Sequence, residues 1–290
     1  MSETRALVVG GNRRVRSAAP GQRRGWLHIV LIPVALLWLL PIVMVVGLSL
    51  MPPANPSTQL FGLLPAEFSL QNYVTIWSQN PILLHLLNSL IITVPSVALV
   101  CVFGSMTAFA LARLRVPLKG LVFGVLILAL VLPMSSIVVA TFRILQSMQL
   151  YNNLLGLVLV YTALGLPFAV IIVRTSYLTI PLETYEAARL DGASPWQIFW
   201  RIYLPLGKPA LAVVAIWQTM MSWNDFLLPL VTLGDNELKP LTLVPLAYRG
   251  MYLSQPGALF AILVLISIPV VALFLFIQKY LVNGLSGAIK

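Results

Sequence analysis

Charge is what this 290-residue chain has least of: 9% of its residues are Asp, Glu, Lys or Arg, against about 25% in an ordinary soluble domain. With 59% of residues hydrophobic and a mean hydropathy of +0.95, too few polar side chains exist to cover a soluble globule. A soluble enzyme is therefore excluded, and a polytopic membrane protein is implied. The formal charge of +10 would suggest nucleic acid in a polar chain, but this chain is not polar, so no nucleic-acid partner is expected. Cysteine is nearly absent. Cys101 stands alone in an apolar run, which rules out an intramolecular disulfide or a Cys-based zinc cluster and leaves a small buried hydrophobe.

Other absences narrow the chemistry. His28 and His85 are the only histidines and belong to different segments, so no metal site is expected. No HExxH, GxSxG or paired intramembrane carboxylate occurs. The nearest fragment to a phosphate-binding loop, Gly207–Lys208–Pro209, has Ile202 where the first glycine belongs and Pro209 in place of Ser or Thr. The chain is thus expected to be no enzyme and to bind no cofactor itself. Its apolar runs also lack the buried ionisable groups that mark a proton or ion pathway. An ion-coupled carrier acting alone is disfavoured, and the energy must come from another chain.

What is present is long hydrophobic runs. A helix needs about 20 apolar residues to cross the hydrocarbon core. Six runs qualify: about Leu27–Leu50, Leu87–Leu111, Leu121–Thr141, Leu154–Val173, Ala210–Val231 and Ala258–Leu281. The first is too long for a signal-peptide core and is read as a retained anchor. The expected class is all-α, with six transmembrane helices. Pro33, Pro41, Pro95, Pro133, Pro167 and Pro269 lie inside these runs, where each is expected to kink its helix.

Sorting the cations by loop gives an orientation. Arg5, Arg13, Arg14, Arg16, Arg23, Arg24, Arg113, Arg115, Lys119, Arg174, Arg189, Arg201, Lys208, Lys279 and Lys290 fall on one side, and only Arg143, Lys239 and Arg249 on the other. The positive-inside rule then places both termini in the cytoplasm. Residues 1–25 read as a basic cytoplasmic tail without apolar period, expected to be disordered, its arginines serving as a topology signal or else lying against anionic membrane lipid. Residues 26–290 read as the six-span domain.

The loop between the fourth and fifth runs, residues 177–209, is long enough to carry its own structure. Pro181 can open a helix, with Glu183 in its first turn. Gly192 suits a left-handed stop, and Ser194 can cap a second helix that starts at Pro195, with Gln197 completing a capping box. Leu204–Pro205 is expected to end that helix. Tyr185, Ala188, Trp196, Phe199 and Trp200 add more apolar surface than one hairpin can bury. Such surface suits either docking of another protein or a headgroup-level aromatic belt. On the fifth run, Gln218, Ser222 and Asp225 fall on one stripe, with Trp223 and Asn224 beside them. Aromatic and amide groups suit a sugar path, although Trp at an interface and polar bridges between helices would look the same.

Here a resemblance appears. Glu186–Ala187–Ala188, Gly192, Ile202 and Leu204–Pro205 stand at the spacing of the EAA loop, and the segment resembles that signature of ABC importer permeases. Asn72–Tyr73, Asn88–Ser89–Leu90, Trp223–Asn224–Asp225–Phe226 and Gly284–Leu285–Ser286–Gly287–Ala288 are similar to the carbohydrate-uptake, maltose-type branch. The similarity covers roughly residues 25–290.

The resemblance implies a permease subunit of an ATP-driven importer of di- or oligosaccharide type, in a bacterial or archaeal plasma membrane. It implies a second homologous permease, two ATP-binding cassette subunits carrying ATP and Mg, an extracytoplasmic solute-binding protein and a sugar substrate. The loop would be a coupling helix seated on the ATPase. Glu186 would be its polar anchor, unless its carboxylate simply pairs with Arg189. Ala187 and Ala188 would allow close approach, Gly192 the turn, and Arg189, Asp191, Ser194, Pro195, Ile202, Leu204 and Pro205 would complete it. Asn88, Gln218, Ser222, Trp223, Asn224 and Asp225 become candidates for the substrate path. The outer loop Leu233–Gln255, with Asp235, Glu237, Lys239 and Arg249, corresponds by position to the loop that meets the binding protein. A polyamine or glycerol-phosphate importer is the alternative, though Asp225 is the only carboxylate candidate for the first and no span carries an interior cation for the second.

Overall fold

The structure, a computed structural model, describes residues 25–54, 57–59, 62–248 and 255–287. The expected tail lies outside the described residues save for Gly25, as do Arg249 of the outer loop and Ala288 of the closing motif. The chain divides into two units, residues 1–44 and 45–290. In the first, the described residues belong to α1 (Gly25–Ser49), an apolar helix with Pro33 and Pro41 inside it and side chains exposed along 28–43.

The second unit continues through α2 (Gln71–Gln79), α3 (Ile82–Arg113), α4 (Lys119–Val131), α5 (Met134–Ser147), α6 (Leu154–Thr179) and α7 (Leu182–Leu190). Then come α8 (Pro195–Ile198), a π-helical turn (Phe199–Tyr203), α9 (Leu204–Leu206), α10 (Lys208–Trp223), α11 (Leu227–Thr232) and α12 (Pro256–Gly287). Short 3-10 segments at Asn236–Leu238 and Leu241–Tyr248 precede α12. A two-residue ladder pairs Thr58 with Pro65 and Gln59 with Leu64. The class is all-α.

Among the described residues, four helices are long and apolar enough to cross a membrane: α1, α3, α6 and α12. The count reaches six only if α4 with α5, bent by 107°, and the α8–α9 segment with α10, bent by 75°, are each one span. Two runs expected to be continuous are broken by the ends of α4 and α10. Leu121–Thr141 breaks before Pro133, which disfavours α-helical backbone at Leu132 and leaves that residue extended at ψ 121°. Ala210–Val231 breaks after Trp223. Pro229 has no N–H to give the Asp225 carbonyl four residues back, and the Thr242 hydroxyl donates to that carbonyl instead, at 3.0 Å. Pro95, Pro167 and Pro269 are carried inside continuous helices.

The centre of the second unit is the pairing of α3 with α6, on which α10 also packs. Small residues bring the first two together: a Cβ added to Gly104 would stand 2.7 Å from that of Ala169. Helix α12 packs against α10 and α2, α11 against α5, and α4 against α6. Where α10 meets α12, the Trp223 indole donates to the Ile266 carbonyl at 3.1 Å. That carbonyl lies next to the one Pro269 leaves without its helical donor.

Two of the sequence motifs have plain structural roles. Buried Asn72 donates to the Ser49 and Met51 carbonyls at 2.9 and 2.7 Å, satisfying backbone left open where α1 ends, and the Tyr73 hydroxyl meets Ser49 Oγ at 2.8 Å. Asn88 donates to the Glu237 and Lys239 carbonyls at 2.7 and 3.1 Å, while Ser89 Oγ accepts from the Leu241 N–H at 2.9 Å. Together they tie the segment after α11 to the start of α3.

Candidate functional site

Residues 182–206 form a helix–turn–helix whose shape follows from local chemistry. Helix α7 carries Glu183 in its first turn and Arg189 in its last, each complementing the helix dipole. Pro181 sits one position ahead of the expected start, as the N-cap. The stop is a Schellman motif: the Gly192 N–H donates to the Arg189 carbonyl at 3.1 Å and the Ala193 N–H to that of Ala188 at 3.0 Å. Gly192 has φ +82°, and nothing lies within 4 Å of where its Cβ would be, so glycine is needed there for conformation and not for space.

The second helix opens on the expected capping box. The Gln197 N–H donates to Ser194 Oγ at 3.3 Å and the Ser194 N–H to Gln197 Oε1 at 2.8 Å, with Pro195 first in the helix. It does not end at Leu204–Pro205 as expected. Pro205 cannot donate to the carbonyl of Arg201, and the backbone widens into the π turn just before it, with the Leu204 N–H reaching back to Phe199. The helix then runs to Leu206 and stops at Gly207, where a Cβ would stand 2.6 Å from Tyr177 Cε1.

Beneath this hairpin lies a buried aromatic base. Phe109, Tyr177, Ile198, Phe199, Tyr203 and Val214 are each at most 4% exposed, and the Tyr203 ring stands 4.9 Å from Phe109 and 5.3 Å from Tyr177. Phe199, expected as surplus surface, belongs to this base, and Tyr185 and Ala188 are half-buried against it. Arg113 at the end of α3 locks the base to the hairpin. Its Nη2 donates to the Tyr177 carbonyl at 2.8 Å and also to that of Ile180, and its guanidinium lies 5.4 Å from the Tyr203 ring centre. The cation thus serves the open carbonyls at the end of α6.

The opposite face is open. Trp196 is 57% exposed, Trp200 40% and Leu190 89%, with Glu186, Ala187, Arg189 and Asp191 exposed beside them. Arg189 donates to the Ala193 carbonyl at 3.2 Å, so its structural bond is to the turn and not to Glu186. Ile202 and Leu204 are half-buried and Pro205 is exposed. Leu190 escaped the sequence reading. Its signal was a large apolar residue immediately before Asp191–Gly192, at the end of an otherwise polar helix.

The residues expected along a substrate path do not share one surface. Gln218, Ser222, Trp223 and Asn88 are buried, between 0 and 5% exposed. Gln218 donates to the Tyr161 carbonyl at 3.0 Å and occupies the space left by the missing side chain of Gly165. Ser222 donates to the Gln218 carbonyl at 2.8 Å. The stripe ends with them, because α10 stops at Trp223. Asp225 lies past that end and staples three segments: it accepts from the Tyr161 hydroxyl at 2.7 Å and the Leu227 N–H at 3.0 Å, and from Thr242 through its own carbonyl. Asn224 alone of the six is exposed, at the break.

Beyond α11, Asn152, with φ +54°, accepts from the Gly234 and Asp235 N–H groups and donates to the Asp235 carboxylate at 2.7 Å. Sequence reading missed this residue too. Its signal was the Asn152–Asn153 pair ahead of α6, since asparagine tolerates left-handed backbone.

Residues 82–287 match the family described as binding-protein-dependent transport system inner membrane component. The chain belongs to this family. The permease is therefore a multi-pass membrane transport component and not an enzyme, and membership implies a partner ATPase and a binding protein but no cofactor on this chain. Over 275 residues it is 32% identical to the diacetylchitobiose uptake system permease protein NgcG of Streptomyces coelicolor, covering 93% of this chain and 91% of that one. It is also 32% identical to the trehalose transport system permease protein SugB of Mycobacterium tuberculosis, with 87% and 92% covered. The melibiose/raffinose/stachyose import permease protein MelC of Bacillus subtilis is again 32% identical, with 79% and 83% covered. Among solved structures, a bacterial ABC transporter involved in the import of the acidic polysaccharide alginate shares the permease fold. Its TM-score is 0.76 at 24% identity, covering 88% of this chain and 95% of that one.

Proposed function

We propose that this permease forms half of the translocation path of an ATP-driven sugar importer and receives its driving force through residues 182–206. The assembly would hold a second related permease, two ATPase subunits that bind ATP and Mg, and an extracytoplasmic solute-binding protein. Both termini and the 182–206 hairpin would face the cytosol, as the cation distribution suggests. The sugar class rests on relatives named for di- and oligosaccharides. No observation favours a polyamine or a phosphate ester over them, and an ion-coupled carrier acting alone fits poorly with a binding-protein-dependent family.

The observation that carries the coupling role is the asymmetry of the hairpin. One face is packed on a buried aromatic base continuous with α3, α6 and α10, and the other exposes Leu190, Trp196 and Trp200 around Glu186. A partner that grips the exposed face would move those three helices through the base. Glu186 would offer a charged acceptor, Ala187 a point of close approach, and Gly192 with the Ser194 box would hold the shape. Asn224 is the residue of the expected path most available to a substrate, with Trp223 behind it as support.

The test is uptake and ATPase activity of the assembled importer across a panel of sugars, with the binding protein present. A sugar that raises ATP hydrolysis several-fold in wild type, and much less with Trp196→Ala, supports the reading. Transport by the isolated permease without an ATPase would end it.

A further inference from the structure

Arg174 stands out among the cations because the structure gives it a stacking partner and no acceptor. It lies near the C-terminal end of α6, half-buried, with its guanidinium 4.5 Å from the centre of the Phe123 ring on α4. Its Nε is buried without a hydrogen-bond partner, and among the described residues no carboxylate or carbonyl answers the rest of the group. Arg113, at the end of α3, also leaves its Nε unpaired, but the rest of its guanidinium has two carbonyls and a ring, which Arg174 lacks apart from the ring. A guanidinium held in a mostly apolar setting without an anion is costly, so an acceptor from outside the chain is called for.

The surroundings indicate which acceptor. Lys119 is one turn before Phe123 on α4, so the two share a face of that helix, and Lys119 also has no ion-pair partner among the described residues. Further along the face that Lys119 and Phe123 share, α4 stays apolar and open, with Ile127 45% and Leu130 44% exposed, and α6 is the helix it packs against. A helix of this kind faces lipid tails. Two unanswered cations at its membrane-boundary end, separated by an aromatic ring, match a negatively charged phosphate headgroup whose acyl chains run along α4.

We propose that Lys119 and Arg174, with Phe123 between them, form a binding site for an anionic phospholipid in the crevice between α4 and α6. The phosphate accepts hydrogen bonds from the guanidinium and the ammonium, and the acyl chains cover the apolar face of α4. The bound lipid bridges the start of α4 to α6. This does not depend on which solute the importer carries.

The experiment compares the assembled importer in phosphatidylcholine bilayers with and without about a fifth phosphatidylglycerol. Wild type is expected to unfold at a temperature several degrees higher with phosphatidylglycerol. The Lys119→Gln/Arg174→Gln double variant is expected to lose most of that shift, and Arg143→Gln, a cation remote in sequence and exposed, to keep it. Inorganic phosphate at millimolar concentration should not reproduce the shift, which separates a lipid from a free anion. A photoreactive phosphatidylglycerol applied to wild type should label peptides containing residues 115–125 or 170–178, a readout that survives even if the double variant fails to fold. No preference for phosphatidylglycerol in wild type, an undiminished preference in the double variant, or labelling confined to other helices would each overturn the proposal.

Discussion

At the scale of single residues, glycine shows most clearly how the same residue type answers different demands. Gly192 is there for its φ of +82°, and Gly207 for the approach of Tyr177. Ala at 192 must adopt left-handed backbone, at a cost of about 1–2 kcal/mol. Ala at 207 must push the Tyr177 ring, with an overpacking cost of about 1–3 kcal/mol. Gly124 on α4 meets nothing within 4 Å, so Gly124→Ala should leave the unfolding temperature unchanged or slightly raised. Thermal unfolding of the three variants in detergent checks the order: 207 lowered through the core, 192 lowered through the turn, 124 not lowered.

The aromatic residues of the hairpin divide in the same way. Phe199 is 2% exposed and Trp196 57%, although they lie only three positions apart. Phe199→Ala should destabilise the fold by about 3–5 kcal/mol, as for other buried rings. Trp196→Ala should leave the melting temperature nearly unchanged yet weaken copurification of the ATPase at least tenfold, as for an interface anchor worth about 2 kcal/mol. Equal losses of stability in both variants would show that the exposed face of the hairpin is not a docking face.

At the scale of elements, what could be read in the sequence was what is local. The Ser194 box, the Gly192 stop and the dipole-matched charges of α7 each involve residues within a few positions, and they form as expected. The full Schellman pair goes with them. What could not be read depends on contacts between distant segments. Asp225 looked like the third member of a helical stripe, but Tyr161 and Thr242 hold it past the end of α10. Pro133 looked like a kink in one span, but the bend there is 107°. Arg113 counted only as a charge marking orientation until its bonds to the Tyr177 and Ile180 carbonyls placed it beneath the hairpin. A hydrophobicity profile has no term for such pairings.

Arg113 gives a test at this scale. It joins the end of α3 to the end of α6 and to the π turn, and its hydrogen bonds carry charge, so each is worth about 1.5–3 kcal/mol. Arg113→Gln should leave the permease in the membrane but loosen the hairpin. Limited proteolysis in membranes would then cut within residues 177–206 several-fold faster than in wild type. Unchanged protection would mean that the aromatic base holds the hairpin without it.

At the scale of the whole molecule, scarcity of charge and its placement fit one account. The long apolar helices α1, α3, α6 and α12 contain no Asp or Glu that could carry a coupled ion, and the densest chemistry lies in a hairpin at one end of α3, α6 and α10. The family supplies the rest of the logic: a membrane component that works with a binding protein and an ATPase. Coupling of the proposed kind would require a stiff connection between an exposed gripping face and α3, α6 and α10. In the coupling role proposed above, the base of Phe109, Tyr177, Phe199 and Tyr203 would be that connection.

The most direct measurement is uptake and ATP hydrolysis recorded together for the importer in proteoliposomes, wild type against Gly192→Pro. Proline cannot adopt a φ of +82°, so the hairpin must lose its shape while the helices beneath keep their packing. The account predicts a permease that still inserts and assembles but whose sugar uptake falls to background, with ATP hydrolysis no longer responding to loaded binding protein. Uptake at the wild-type rate in that variant would contradict it.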